Sequence, residues 1–117
     1  MRIAVASDGL DVSLHGSRCA SYTCYTVERG IITTCQNTPN PCLAPEFAAQ
    51  YLKDLGVDVF LATDIDPEMR TALKHRGIET AKASSGSTKR AVEKYLSHLF
   101  NGEDPSTDES DLTLSAH

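Results

Sequence analysis

The sequence predicts an α/β domain over residues 1–100, built on a mixed five-stranded sheet with helices on both faces, and a disordered acidic tail over residues 101–117. Three observations predict it. β-Rich runs and amphipathic segments follow the order strand, hairpin, helix, strand, helix, strand, helix. A hairpin makes antiparallel neighbours, whereas strands joined by a helix pair in parallel, so the sheet is mixed. The 117 residues suffice for one core and would starve a second of buried surface.

Arg2 to Ser7 reads as a buried strand, because Ile3, Ala4, Val5 and Ala6 are consecutive apolar residues and Asp8-Gly9 is a turn signal. A polar loop with His15, Gly16 and Ser17 follows. Ser21 to Val27 and Ile31 to Asn37 carry the Tyr, Thr, Val and Ile of a hairpin closed by Glu28-Arg29-Gly30. With Arg29-Gly30 as a two-residue turn, Glu28 faces Ile31, and counting outward sets Cys24 opposite Cys35 with both thiols on one face. Pro39-Asn40-Pro41-Cys42 breaks the pattern. Pro45 suits a first helical position, and Phe47, Ala48, Tyr51, Leu52 and Leu55 form an apolar stripe that Gly56 ends.

Val57 to Thr63 is too short and too β-branched for a helix and reads as a buried central strand, with Asp64 and Asp66 after it. Asp66-Pro67-Glu68 supplies an N-cap, a first-turn proline and an acid that suits the helix dipole, so a helix runs to about Arg76 and stops at Gly77. Ile78 to Ala81 is the fifth strand. Ser84 to Thr88 then leads into a helix whose apolar face is Ala91, Val92, Tyr95, Leu96 and Leu99, and Asn101-Gly102 closes the domain. Beyond it, Ser, Thr, Asp and Glu leave too little apolar surface to offset the entropy of ordering.

The net charge of −5 belongs to that tail, since Glu103, Asp104, Asp108, Glu109 and Asp111 lie in it without a Lys or Arg. Without those five acids the body carries 11 acidic and 11 basic residues. A neutral body lacks the basic footprint of phosphate neutralisation, so nucleic acid is not an expected partner. No run approaches the roughly 20 apolar residues of a membrane span, and the N-terminus goes straight into a strand, so a cytoplasmic location is expected. In that compartment Cys19, Cys24, Cys35 and Cys42 are reduced thiols rather than disulfides.

Thiolates are soft donors for iron–sulfur, copper or zinc, and a neutral imidazole ligates iron, molybdenum, zinc or copper, so His15 and the four cysteines are candidate ligands. None of them has C-x-x-C spacing, so folding must assemble any site. Cys19 and Cys42 lie in loop-like sequence and are the better candidates; Cys24 and Cys35 read equally well as buried small hydrophobes. His75 and His98, near helix C-termini, read as structural. Ser85, Gly86, Ser87 and Thr88 form either an anion-binding loop at a helix N-terminus or a plain Ser/Thr cap. Asp8, Asp64 and Asp66 at strand ends are a rival Mg-dependent phosphoryl hydrolase site, weakened because a turn and an N-cap explain two of them.

Several segments, in order and spacing, carry a resemblance over residues 1–100. They are Met1-Arg2-Ile3-Ala4-Val5-Ala6-Ser7-Asp8-Gly9, His15 to Arg18, Gly56-Val57-Asp58-Val59, Gly77-Ile78 and Ser85-Gly86-Ser87-Thr88. In these the chain resembles the dinitrogenase iron-molybdenum cofactor-binding family. The resemblance implies a ribonuclease H-like fold and cluster binding through a His-Phe-Gly segment after the first strand. His15 stands in that histidine's place, Gly16-Ser17 replaces Phe-Gly, and Cys19 stands where a small apolar residue is common. The expected function is binding, carriage or insertion of an iron–sulfur or iron–molybdenum type cluster, without catalysis. His15 with one or more of Cys19 and Cys42 would be ligands, and a cluster donor or acceptor protein the partner of a monomer or homodimer. The alternative is an interaction or regulatory module without a cluster.

Overall fold

The computed structural model describes residues 1–101, in which β1 (Arg2–Asp8), β2 (Asp11–Val12), β3 (Ser21–Glu28), β4 (Ile31–Pro39), α1 (Pro45–Asp54), β5 (Val59–Ala62), α2 (Pro67–His75), β6 (Glu79–Lys82) and α3 (Thr88–Asn101) follow one another. The expected disordered tail lies, beyond Asn101, outside the described residues. The sheet order is β4-β3-β1-β5-β6. β5 runs parallel to both β1 and β6, while β3 runs antiparallel to both β1 and β4. The sheet is therefore mixed, as the hairpin and crossover helices require.

The five expected strands make up that path, and β2 is a sixth that the sequence did not announce. Gly9, at φ 70°, turns the chain back so that Val12 pairs with Ser7 and Asp11 with Asp8. Two residues are too few to show a hydrophobic period.

The middle of β1, Ile3 to Ala6, is a continuous apolar run because both sides of it are buried. Ala4 and Ala6 face one side with Phe60, Ala62 and Leu52, whereas Ile3 and Val5 face the other with Val59, Leu61, Val92 and Leu96. α1 and α2 cover the first side, and α3 the second. Tyr22 meets Phe60 edge-on at 6.0 Å and 74°, a favoured aromatic geometry within the α1/α2 layer.

The helical stripes sit slightly differently from expectation. α1 buries Ala48, Ala49 and Leu52, while Phe47 is 67% exposed. Ala48 and Leu52, four residues apart, aim at the sheet, and Phe47, about 100° round the helix from Ala48, falls on the flank. Val92 and Leu96 anchor α3, while Leu99 is 45% exposed one turn further on. Gly56 and Gly77, both with positive φ, end α1 and α2 as expected. In each case a 6→1 hydrogen bond closes the helix, from Val57 N–H to the Leu52 carbonyl and from Ile78 N–H to the Leu73 carbonyl. Asp66 does occupy the N-cap position of α2, but its side chain makes no capping hydrogen bond.

The hairpin departs from expectation at one residue. Glu28 pairs with Ile31 and Val27 with Ile32, but Thr26 pairs with Thr34, so Thr33 is bulged out. Cys24 then faces Gln36, and Cys35 faces Tyr25. Because side chains alternate across a strand, the one-residue slip puts the two thiols on opposite faces of the sheet. Cys24 is buried in the α1/α2 layer, and Cys35 is exposed beside Tyr25 on the α3 side.

Candidate functional site

The carboxyl ends of β1, β5 and β6 form one rim of the sheet. After β1 the chain moves to β3 and β4 on one side, then α1 returns it to β5 on the other. The crevice between β1 and β5 is the switch point at which α/β sheets hold ligands.

Residues 13–20 lie across that crevice as a strap. The Ser13 N–H donates to the Ala6 carbonyl at 2.9 Å, and the Thr63 hydroxyl donates to the Ser13 carbonyl at 3.0 Å. Asp8 holds both ends of the strap: Oδ2 accepts from the Ser13 hydroxyl and Oδ1 from the Ala20 N–H, each at 3.0 Å. The Ser17 N–H donates to the Asp64 carbonyl at 3.1 Å. Inside the strap, the His15 N–H donates to Ser13 Oγ at 3.1 Å and the His15 carbonyl accepts from the Arg18 N–H at 3.2 Å.

Gly16 is the tightest point. It has φ 62°, and a Cβ there would collide with the Asp64 carbonyl oxygen. Glycine is the residue that satisfies both demands. The result is a backbone fixed on both sides of an exposed His15 side chain.

The three aspartates share the rim but not a centre. Asp8 is the acceptor that closes the strap, Asp64 contributes its backbone carbonyl, and Asp66 Oδ2 lies 3.9 Å from Arg18 Nε in an exposed ion pair. Such a pair contributes little, on the order of 0–1 kcal/mol. Among the described residues no three His, Cys, Asp or Glu side chains stand together as a metal-ion site.

The thiols divide into an assembled pair and a separated pair. Asn40 joins the first. Its Nδ2 donates to the Cys19 carbonyl at 2.9 Å and approaches Cys19 Sγ at 3.8 Å. Its Oδ1 accepts from the Cys42 N–H at 2.9 Å and from the Tyr22 hydroxyl at 3.1 Å. Cys42, at φ 57°, is exposed, and its thiol turns back toward the Asn40 carbonyl at 3.6 Å. Cys19 is 4% exposed, and that burial pushes its thiol pKa up, against the pull of nearby backbone hydrogen bonds. Cys24 is shifted the same way by burial, partly offset by Arg2.

The segment Ser84 to Thr88 reaches the same rim after β6, but its last residue is committed to the fold. Thr88 donates both its N–H, at 2.9 Å, and its hydroxyl, at 3.0 Å, to the Leu10 carbonyl. Its Oγ1 therefore accepts from the Tyr25 hydroxyl at 2.7 Å. Gly86 accepts from the Val12 N–H, and Ser87 Oγ caps α3 by accepting from the Arg90 N–H at 3.2 Å. Ser85 and Gly86 remain exposed at the tip.

Sequence reasoning missed Ser13, Thr63 and Asn40, and with them a buried polar cluster under the Gly9 turn. Ser7 Oγ lies 2.8 Å from both Ser21 Oγ and Thr23 Oγ1, and the two hydrogens of Asn37 Nδ2 are shared among Ser21 Oγ, Thr23 Oγ1 and the Gly9 carbonyl, all within 3.1 Å. Ser21 and Thr23 alternate along their strand, which was the available signal. A groove of about 540 Å³ runs between α1 and α2, bordered by Pro45, Phe47, Pro67, Thr71 and His75.

The family model described as "Dinitrogenase iron-molybdenum cofactor" matches residues 1–98. No curated protein matches the sequence. Among solved structures, a NifB-like protein from Thermotoga is similar at TM-score 0.66 and 20% identity over 80% of this chain and 85% of that one. A dinitrogenase-like protein from Methanocaldococcus jannaschii gives TM-score 0.64 and 18% identity, covering 88% and 90%. The apo form of the orange protein from Desulfovibrio gigas gives TM-score 0.66 and 24% identity, covering 89% and 90%. At these identities the likeness is one of fold.

Proposed function

Since the chain belongs to the dinitrogenase iron-molybdenum cofactor family, we propose that it binds and carries, as cargo, an iron–sulfur or iron–molybdenum type cluster on the carboxyl rim of its sheet. The observation that carries this reading is the strap: seven hydrogen bonds and a glycine seated on Asp64 hold the backbone around a His15 side chain that is left exposed. A rigid backbone presenting a free imidazole suits a ligand of iron or molybdenum better than it suits a solvated loop.

The donor set fits an open mount rather than a closed cage. His15 and the exposed thiol of Cys42 are accessible on the rim, with Cys19 behind Asn40 as a further donor once a metal replaces its proton. Cys24 lies inside the α1/α2 layer and Cys35 on the other side of the sheet, so both leave the ligand set. A cluster brings its own sulfides, so few protein donors are needed for a cargo that must leave again. Ser85, Gly86 and Ser87 offer polar contacts to the charged edge of the cargo, while Thr88 supports the loop. Exposed Leu14 on the strap, Leu43 after Cys42 and Phe47 on the flank of α1 are the surface for a cluster donor or acceptor protein. No bond-breaking step is assigned. We read the fold as ribonuclease H-like and the location as cytoplasmic; among the described residues no helix is long and apolar enough to cross a membrane.

Metal content and visible absorption of protein purified and reconstituted without oxygen test the reading. Stoichiometric iron or molybdenum with a charge-transfer band, lost in His15→Ala and reduced in Cys42→Ser, supports it. No metal bound after reconstitution overturns it in favour of a module that works without a cluster, and metal binding indifferent to both changes takes the site off this rim.

A further inference from the structure

The two edges of the sheet are treated differently. β6, at one edge, has four residues, opens with Glu79 and closes with Lys82. Short length and charged residues are the usual protection of an edge strand against pairing with another chain. β4, at the other edge, has nine residues, Ile31–Pro39, and not one of them is charged. β3 takes one side of its backbone, and among the described residues no strand takes the other. Seven of the nine residues are exposed, including Ile31 at 67%. The bulge at Thr33 and Pro39 at the end are the only guards, and neither interrupts Thr34 to Thr38.

We propose that β4 is a pairing edge whose occupant is β4 of a second copy, antiparallel across a two-fold axis, which extends the sheet continuously through both chains. An antiparallel two-fold requires one residue to face itself, and Cys35 is the middle of the nine. With the axis there, all nine residues are paired, from Ile31 against Pro39 to Cys35 against Cys35 of the other copy; any other axis leaves an overhang. Thr33 then faces Asn37 and Thr34 faces Gln36, uncharged pairs that meet without like-charge repulsion. The absence of charge is what makes the strand compatible with its own copy. The pairing leaves the strap and its His15 on the carboxyl rim of each chain, and it does not depend on the cluster reading.

Sedimentation of the full chain from micromolar to millimolar concentration, with hydrogen exchange of the β4 amides, tests this. A concentration-dependent dimer with β4 amides protected in step is expected. Cys35→Lys and Cys35→Glu each place like charges opposite one another and should weaken the dimer about fivefold or more. An equimolar mixture of the two should restore it, which shows that neither variant has lost its fold, while Cys35→Ser dimerises like the parent. A monomer throughout the range overturns the proposal. So does protection of β4 in a monomer, which would assign the edge to residues 102–117 of the same chain, and so does a dimer insensitive to charge at Cys35.

Discussion

Two glycine-bearing loops meet at the carboxyl rim, and they divide the work. The strap of residues 13–20 uses its backbone and its small polar side chains for fastening and leaves one functional side chain, His15, outside the network. The loop of residues 84–88 does the reverse: its last side chain, Thr88, is buried between Leu10 and Tyr25, and its exposed part, Ser85 and Gly86, offers backbone and hydroxyl groups alone. Polar sequence at a rim therefore has two uses, and hydrogen-bond partners rather than composition separate them.

The strongest way to break the comparison is Gly16→Ala. A positive φ and a Cβ directed at the Asp64 carbonyl should together cost about 2–4 kcal/mol in denaturant unfolding. Metal binding should be lost alongside, because the strap cannot keep His15 in place. A stable variant that still binds would show that the close seat on Asp64 is unimportant. On the other loop, Thr88→Val strips Tyr25 of its acceptor and should cost about 2 kcal/mol, measured in the same way, with metal content per folded chain unchanged. Loss of metal without loss of stability would move Thr88 into the binding site.

The interior sharpens the contrast through pH. Burial raises the thiol pKa of Cys24 above its ordinary 9.0 and the phenol pKa of Tyr25 above its ordinary 10.0. Above pH 9 the unfolded thiol has lost its proton while the folded one keeps it. The folded state then binds more protons, and stability falls as pH rises. The contribution is complete below pH 9, and each group adds at most about 1.4 kcal/mol per pH unit of decline above its ordinary value. Denaturant midpoints measured between pH 8 and 11 check this, and Cys24→Ala should flatten the first part of the slope. The smallest effect belongs to His15→Ala, which should move stability by less than about 0.5 kcal/mol while abolishing metal binding. A large stability loss would mean that the imidazole is part of the strap's fastening.

Much of the fold was legible. Consecutive apolar residues in β1 and β5, the proline starts of α1 and α2 and the glycines after them are local signals, and each element but β2 formed within a residue or two of its expected bounds. Less of the site was legible. His15 could be singled out from its place in a family pattern, but its exposure and its fixed backbone depend on Asp8, just before the strap, and on Thr63 and Asp64, which are remote from it in sequence. The four cysteines looked like one set. The bulge at Thr33 split Cys24 from Cys35, and a bulge leaves little trace in a sequence whose side chains would alternate acceptably in either register.

By itself, then, the sequence determined the α/β class, the order of the elements and the two-sided burial of the first strand, because these rest on periodicity and on residues close together in the chain, while the candidate histidine came from the family resemblance. Tertiary structure decided which polar residues serve the fold and which remain free, that Asn40 joins Cys19 to Cys42, and that among the described residues no strand takes the outer side of β4. Hydrogen-bond satisfaction, burial and strand register are properties of pairs of residues far apart in sequence, and they acquire values when the chain closes on itself.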